Sequence, residues 1–169
     1  MLSLLFGAPD GPGPRSLRAK PVVRAMRPED RESVLRIEAA SFPDAWPPEV
    51  LDRCLAMVDA SGHVLEREGE CVGFFIVQRT MNHLHLANMA VAPAARRAGM
   101  GTLALWAIDD IARACRLPRV ELEVRETKLA AQLLYRRNGY RAVEILRSYY
   151  GDQDAYKMTK MATLGPAGC

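Results

Sequence analysis

The residues whose types and spacing could do chemistry begin with Arg96-Arg97-Ala98-Gly99-Met100-Gly101-Thr102, two arginines and two glycines just ahead of a helical repeat. Unpaired N–H groups at a helix start, with the helix dipole behind them, suit phosphate oxygens. Glycine lets a ligand approach the backbone without a Cβ in the way, and arginines add charge-assisted contacts. The other reading of this segment is an ordinary turn with solvated arginines. No G-K-[ST] is present, so a P-loop nucleotide site is not supported. Gly99-x-Gly101-x-x-Ala104 also fits a dinucleotide G-x-G-x-x-A, with Glu121 at the ribose spacing. Against that, eight residues separate Val91 from Met100, and the chain supplies one strand–helix–strand unit rather than several.

Glu121, Glu123 and Arg125 alternate with Leu122 and Val124, so the three charged side chains share one strand face. That face is either a source of proton-transfer groups or simply solvated. Tyr135, beside Leu133 and Leu134, is either a phenol at a site or a packing residue. His83 and His85 share a strand face and read as surface or packing residues. The cysteines Cys54, Cys71, Cys115 and Cys169 form no C-x-x-C pair, and none has a histidine at zinc spacing, so no metal site is expected. They read as reduced thiols, with Cys115 on a helix core stripe.

These groups need elements to hold them. Gly7 to Pro14 is too rich in glycine and proline for helix or ladder, which makes residues 1–20 a flexible arm. Residues 21–163 then form one domain, followed by a tail at 164–169. A strand at Val22–Met26 leads, through Pro28, Glu29 and Asp30, into a first helix ending near Ser41. A second helix runs from Pro48 to about Asp59. Strands follow at His63–Glu68 and Cys71–Gln78 around a Gly69-Glu70 turn, then at His83–Val91. Met100, Ala104, Ile108, Ile111 and Cys115 mark a long helix to about Arg116. Val120–Arg125 is a strand, and Thr127 caps a helix with the stripe Ala130, Leu133, Leu134, closed by Asn138-Gly139. Tyr140–Tyr150 and Ala155–Met161 form a final antiparallel pair. A strand–helix–strand unit inside this order implies one parallel pair in a mostly antiparallel sheet, a mixed α/β layer.

The composition, 49% hydrophobic and 25% charged over 169 residues, is that of an ordinary globular domain. A net charge of +3 is too small to call for nucleic acid, but it is compatible with an anionic small ligand. No segment approaches the ~18 apolar residues of a membrane span, and the apolar start lacks a basic flank, so a soluble cytoplasmic protein is expected.

Arg96-x-x-Gly99-x-Gly101 resembles the Q/R-x-x-G-x-G/A pyrophosphate loop of the GNAT acetyltransferases. Asn88-Met89-Ala90-Val91 and Leu122-Glu123-Val124-Arg125 are similar to that family's two splayed parallel strands. Leu133-Leu134-Tyr135, Asn138-Gly139-Tyr140, Arg147-Ser148-Tyr149-Tyr150 and Asp154-Ala155-Tyr156-Lys157-Met158 resemble its RimI-type branch, the bacterial protein N-terminal acetyltransferases that act on a ribosomal protein. The likeness spans Val22 to Met161. It implies a sheet with a central splayed parallel pair and helices on both faces, with acetyl-CoA as cosubstrate. Met89, Ala90 and Val91 would meet the pantetheine and acetyl group, and Arg96, Arg97, Ala98, Gly99, Met100, Gly101 and Thr102 the pyrophosphate. Glu123 falls at the family's base position and Tyr135 at its acid position. Phe42, Trp46, Tyr149 and Tyr150 would line the acceptor groove. Lys128 stands where the family carries an asparagine, and a lysine there reaches a phosphate or points to solvent. The implied partner is a peptide or protein N-terminus, a ribosomal protein being one candidate, with no nucleic acid or membrane, for a monomer or weak dimer. A small-molecule amine or lysine acceptor, and a silent acyl-CoA-binding module, are the alternatives.

Overall fold

A seven-stranded sheet in the order β1-β2-β3-β4-β5-β7-β6 organises residues 20–162, the part of the chain that the computed structural model describes. The strands are β1 (Val22–Ala25), β2 (Ala60–Arg67), β3 (Glu70–Arg79), β4 (Leu84–Val91), β5 (Arg119–Arg125), β6 (Arg141–Tyr150) and β7 (Gln153–Met161). The helices are α1 (Arg31–Ala39), α2 (Pro48–Leu55), α3 (Met100–Ala114) and α4 (Leu129–Arg137). The expected arm, apart from Lys20, and the expected tail lie outside the described residues.

Every strand pairing is antiparallel except β4 with β5. Helix α3 makes the crossover between those two, as a parallel connection requires. The sheet carries a core on each face. Val34, Ile37 and Leu51 of α1 and α2 pack on Val64, Phe74, Ile76 and Ala90. On the other face Leu105 and Ile108 of α3 and Tyr135 of α4 pack on Leu84, Leu86, Val120, Leu122 and Val124.

Several boundaries differ from those expected. The β2–β3 turn is Glu68-Gly69, one residue upstream of Gly69-Glu70, with φ of 56° and 82°. Two successive positive values are what a tight hairpin turn needs to follow the strand twist. Thr127 does not cap α4: Lys128 holds the N-cap position, and the Thr127 hydroxyl donates to Gln153 Oε1 at 3.2 Å. The inner stripe of α4 is Ala131, Leu134 and Tyr135, while Leu133 is exposed. Asn138-Gly139 does close α4. Gly139 (φ 92°) donates to Arg136 O at 3.1 Å, and Tyr140 donates to Tyr135 O at 3.0 Å. This double closure also brings the Tyr135 and Tyr140 rings to 5.7 Å.

Strand β4 contains one extra residue. Ile76 pairs with Asn88 and Val77 with Leu86, which leaves Ala87 without a partner on β3. Such a bulge bends its strand and reverses the in–out alternation beyond it. Leu84 and Leu86 therefore face α3, whereas Asn88 and Ala90 face α1.

Candidate active site

Strands β4 and β5 stay paired only at Leu84↔Val120 and His85↔Glu121. Beyond that point they separate. The two neighbouring ladders continue, β3–β4 to Gly73↔Val91 and β5–β7 to Arg125↔Ala155, so the gap opens inside an otherwise continuous sheet. Ala92 donates its N–H to Val72 O at 2.9 Å. By the alternation of an antiparallel ladder, Ala90 directs its backbone groups at β3, and Met89 and Val91 direct theirs into the gap. Of the three residues expected to meet the acetyl group, two thus offer main chain there.

The mouth of the gap is the start of α3. Gly99 is its N-cap in the left-handed conformation, with φ of 79°, and no side chain caps the helix. Arg97 is left-handed too, at φ 62°, so the chain from Arg96 to Thr102 curls around the helix end. The N–H groups of Met100, Gly101 and Thr102 precede the first intrahelical bond, Leu103 N to Gly99 O at 3.0 Å. This is an uncapped, positively polarised terminus beside two arginines, and it fits a diphosphate. The two glycines have different reasons. Gly99 has open space where a Cβ would stand, so it is the left-handed φ, and not crowding, that favours glycine there. A Cβ on Gly101 would lie 2.7 Å from Leu134 Cδ2, so this glycine lets α3 and α4 pack closely. The Met100 side chain is buried in the core. Arg96 does not point freely outward: its Nε donates to Val91 O at 2.9 Å and its Nη2 to Ser41 Oγ at 3.0 Å. Lys128 is half-buried at the head of α4.

At the apex of the gap, the Glu123 carboxylate meets His85. Nε2 of the imidazole lies 2.7 Å from Glu123 Oε2, with 27% and 15% of the two side chains exposed. With the ring neutral, this bond puts the proton on Nε2 and leaves Nδ1 as an acceptor. His85, read from the sequence as surface or packing, is therefore a partner of the carboxylate. Glu121 is engaged differently. It meets Arg119 at 2.6 Å and Lys157 at 3.1 Å, and His83 Nε2 lies 3.6 Å away. Burial alone would raise its carboxyl, but Arg119 and Lys157 hold it below the ordinary range. Glu121 is a neutralised member of an ion cluster, and Glu123 is the carboxylate nearer the open gap.

Tyr135 is 8% exposed, in the core on the α3–α4 face of the sheet. Burial, helped slightly by Tyr150, raises its phenol above the ordinary value of 10.0. It remains a protonated donor at any physiological pH. Tyr149 and Tyr150 stand edge to face at 4.9 Å, with Tyr149 half exposed. Burial pushes Tyr150 up to about 12, with Tyr149 and Glu123 adding to the effect and Arg125 opposing it. The Arg125 guanidinium lies 4.0 Å from the centre of the Tyr150 ring and also pairs with Asp44 in the α1–α2 loop. Phe42 and Trp46 of that loop rest partly buried on the α1–α2 core. Arg125 thus ties the two expected halves of the acceptor groove to each other and to the strand that carries Glu123.

Residues 31–140 match the acetyltransferase (GNAT) family, and the chain belongs to it. An N-alpha-acetyltransferase of Sulfurisphaera tokodaii is 29% identical over 150 residues, covering 80% of this chain and 90% of that protein. The N-alpha-acetyltransferase RimI of Mycobacterium tuberculosis is 30% identical over 146 residues, covering 82% and 90%. The crystal structure of the ribosomal-protein-S18-alanine N-acetyltransferase from Escherichia coli superposes with a TM-score of 0.79 at 23% identity, covering 89% of this chain and 99% of that one. At that identity the likeness is one of fold. The protein is an acetyl-CoA-dependent N-acetyltransferase of the GNAT type.

Proposed function

We propose that this enzyme acetylates the α-amine of a protein N-terminus, an alanine of the ribosomal-protein type being the preferred acceptor, by direct attack in a ternary complex. The observation that carries the reading is the Glu123–His85 pair at the apex of the gap, with Tyr149 and Tyr150 near enough for the Glu123 charge to act on both phenols. The names of the relatives support the acceptor class: two are N-alpha-acetyltransferases, and the fold neighbour acts on a ribosomal-protein alanine.

Acetyl-CoA supplies an activated acyl group on a thiolate leaving group. The chain's own residues do the rest. Amides from Met100 to Thr102 and the Arg97 side chain hold the diphosphate. The main chain of Met89 and Val91 orients the pantetheine and polarises the carbonyl, as an oxyanion hole does. An α-amine has a pKa near ~8, so about a tenth of it is neutral at pH 7. Glu123 accepts the proton that the nitrogen sheds as it bonds to carbon, and His85 fixes the carboxylate through Nε2–H. Tyr135 donates a hydrogen bond to the departing sulfur, which burial allows by keeping its phenol protonated.

The test is incubation with acetyl-CoA and two peptide sets, one with free N-termini and one N-terminally blocked but containing lysine, with products read by mass spectrometry. Acetylated α-amines, with alanine foremost, are expected. Acetylation confined to the blocked lysine peptides, or CoA binding without any product, overturns the reading.

A further inference from the structure

Glu38, in the last turn of α1, is 3% exposed and carries a carboxylate that no step above uses. Its Oε1 accepts two hydrogen bonds, from the main-chain N–H of Trp46 at 2.9 Å and from Nδ2 of Asn88 at 3.2 Å. Its Oε2 is buried with no partner among the described residues. The two donors belong to opposite sides of the reaction. Trp46 lies in the α1–α2 loop, the wall tied through Asp44 to Arg125. Asn88 follows the bulged Ala87 and immediately precedes Met89, whose backbone faces the gap. Around this junction Val34, Leu35, Leu51 and Phe74 form an apolar surround. A charge buried in such a setting is costly unless hydrogen bonds or an opposite charge compensate it, and here two hydrogen bonds to one oxygen are all the compensation Glu38 has among the described residues.

We propose that Glu38 is a positioning residue that sets the acceptor wall over the thioester floor, by holding the Trp46 main chain and the Asn88 side chain on one carboxylate oxygen. The proposal rests on the reading that the α1–α2 loop borders the acceptor. Burial raises the Glu38 carboxyl above the ordinary range, while both bonds resist the rise. The bridge needs an acceptor oxygen at this point rather than a net charge, because an amide oxygen can take the same two donors.

Two substitutions separate bridging from packing. Glu38→Gln keeps an acceptor oxygen, and Glu38→Met keeps the volume without one. They are compared in a Trp106→Phe background, where Trp46 is the only tryptophan left. Glu38→Met is expected to shift Trp46 emission to the red and raise its quenching by acrylamide, with Glu38→Gln close to the parent. In steady-state kinetics Glu38→Met is expected to raise the acceptor KM by roughly tenfold, equivalent to about 1.4 kcal/mol. The KM for acetyl-CoA should stay within about twofold, and Glu38→Gln should restore the acceptor value. If Glu38→Met leaves both the emission and the acceptor KM unchanged, or raises the KM for acetyl-CoA equally, the proposal falls. The fluorescence arm needs no acceptor. A shifted emission in a protein that acetylates no α-amine would therefore sink the proposed function and leave the bridge standing.

Discussion

The coupling between His85 and Glu123 can be measured by a double-mutant cycle of Glu123→Gln, His85→Ala and both together. Removing the carboxylate abolishes the proton acceptor, a contribution of typically ~10²- to 10⁴-fold to turnover. Removing the imidazole takes away one hydrogen bond to a charged group, worth roughly 1.5–3 kcal/mol. Both side chains retain some solvent access, 27% and 15%, which favours the lower end. His85→Ala should therefore cost about tenfold in kcat. Because His85 acts through Glu123, the double variant should be little worse than Glu123→Gln alone. The assay is single-turnover acetylation of a peptide N-terminus at saturating acetyl-CoA, followed across pH 6 to 9. Losses that multiply in the double variant would refute the idea that the two groups act as a unit. A pH–rate profile unaltered by Glu123→Gln would remove the carboxylate as proton acceptor.

Tyr135→Phe deletes only a hydroxyl and leaves the ring packed on Tyr140, so kcat should fall by about tenfold or more while both KM values and the melting temperature hold. Wild-type turnover would dismiss the acid role. Asp30 receives both terminal nitrogens of Arg24, at 2.6 and 2.8 Å, and the Arg27 N–H at 2.7 Å. The Arg24 bond is the main reason its carboxyl lies below the ordinary range, against the opposing effect of burial. A carboxylate with a depressed native pKa stabilises the fold above its unfolded value near ~3.9, and that stability is lost as pH falls through the native value. Asp30→Asn should thus lower stability at pH 7 and flatten the acid limb of urea melts below about pH 5. Parallel acid limbs for the two proteins would contradict this.

Much of this architecture is legible in the residues because two periods compete plainly. Alternation at Glu121–Arg125 and the helical repeat from Met100 fix a strand and a helix, and the glycine turn between them marks the uncapped start of α3. What stays hidden depends on register. His85 and Glu123 are 38 positions apart, and only the pairing of His85 with Glu121 brings them together. The sequence did carry a faint signal, two histidines and two glutamates alternating on strands that the crossover makes neighbours. The stripe of α4 lies one position later than the spacing predicts, with Leu133 outward and Tyr135 inward, because tertiary contacts choose the buried face: Leu134 lies against Gly101 of α3 and Tyr135 against Tyr140. Gly101 read as room for a ligand, although its neighbour is Leu134, since a spacing cannot say which body needs the space.

The unpaired Ala87 has a reach well beyond its own position. It lets Leu86 and Asn88 stand opposite the consecutive β3 residues Val77 and Ile76, so the surplus residue is taken up without moving either neighbour off its face. Shortening β4 by one residue there would keep Asn88 opposite Ile76 and Met89 opposite Phe75. What it would remove is the local bend and added twist that a bulge gives its strand, just past the last pair that β4 makes with β5. Anyone grafting this strand onto another scaffold must therefore carry the surplus residue to carry the bend.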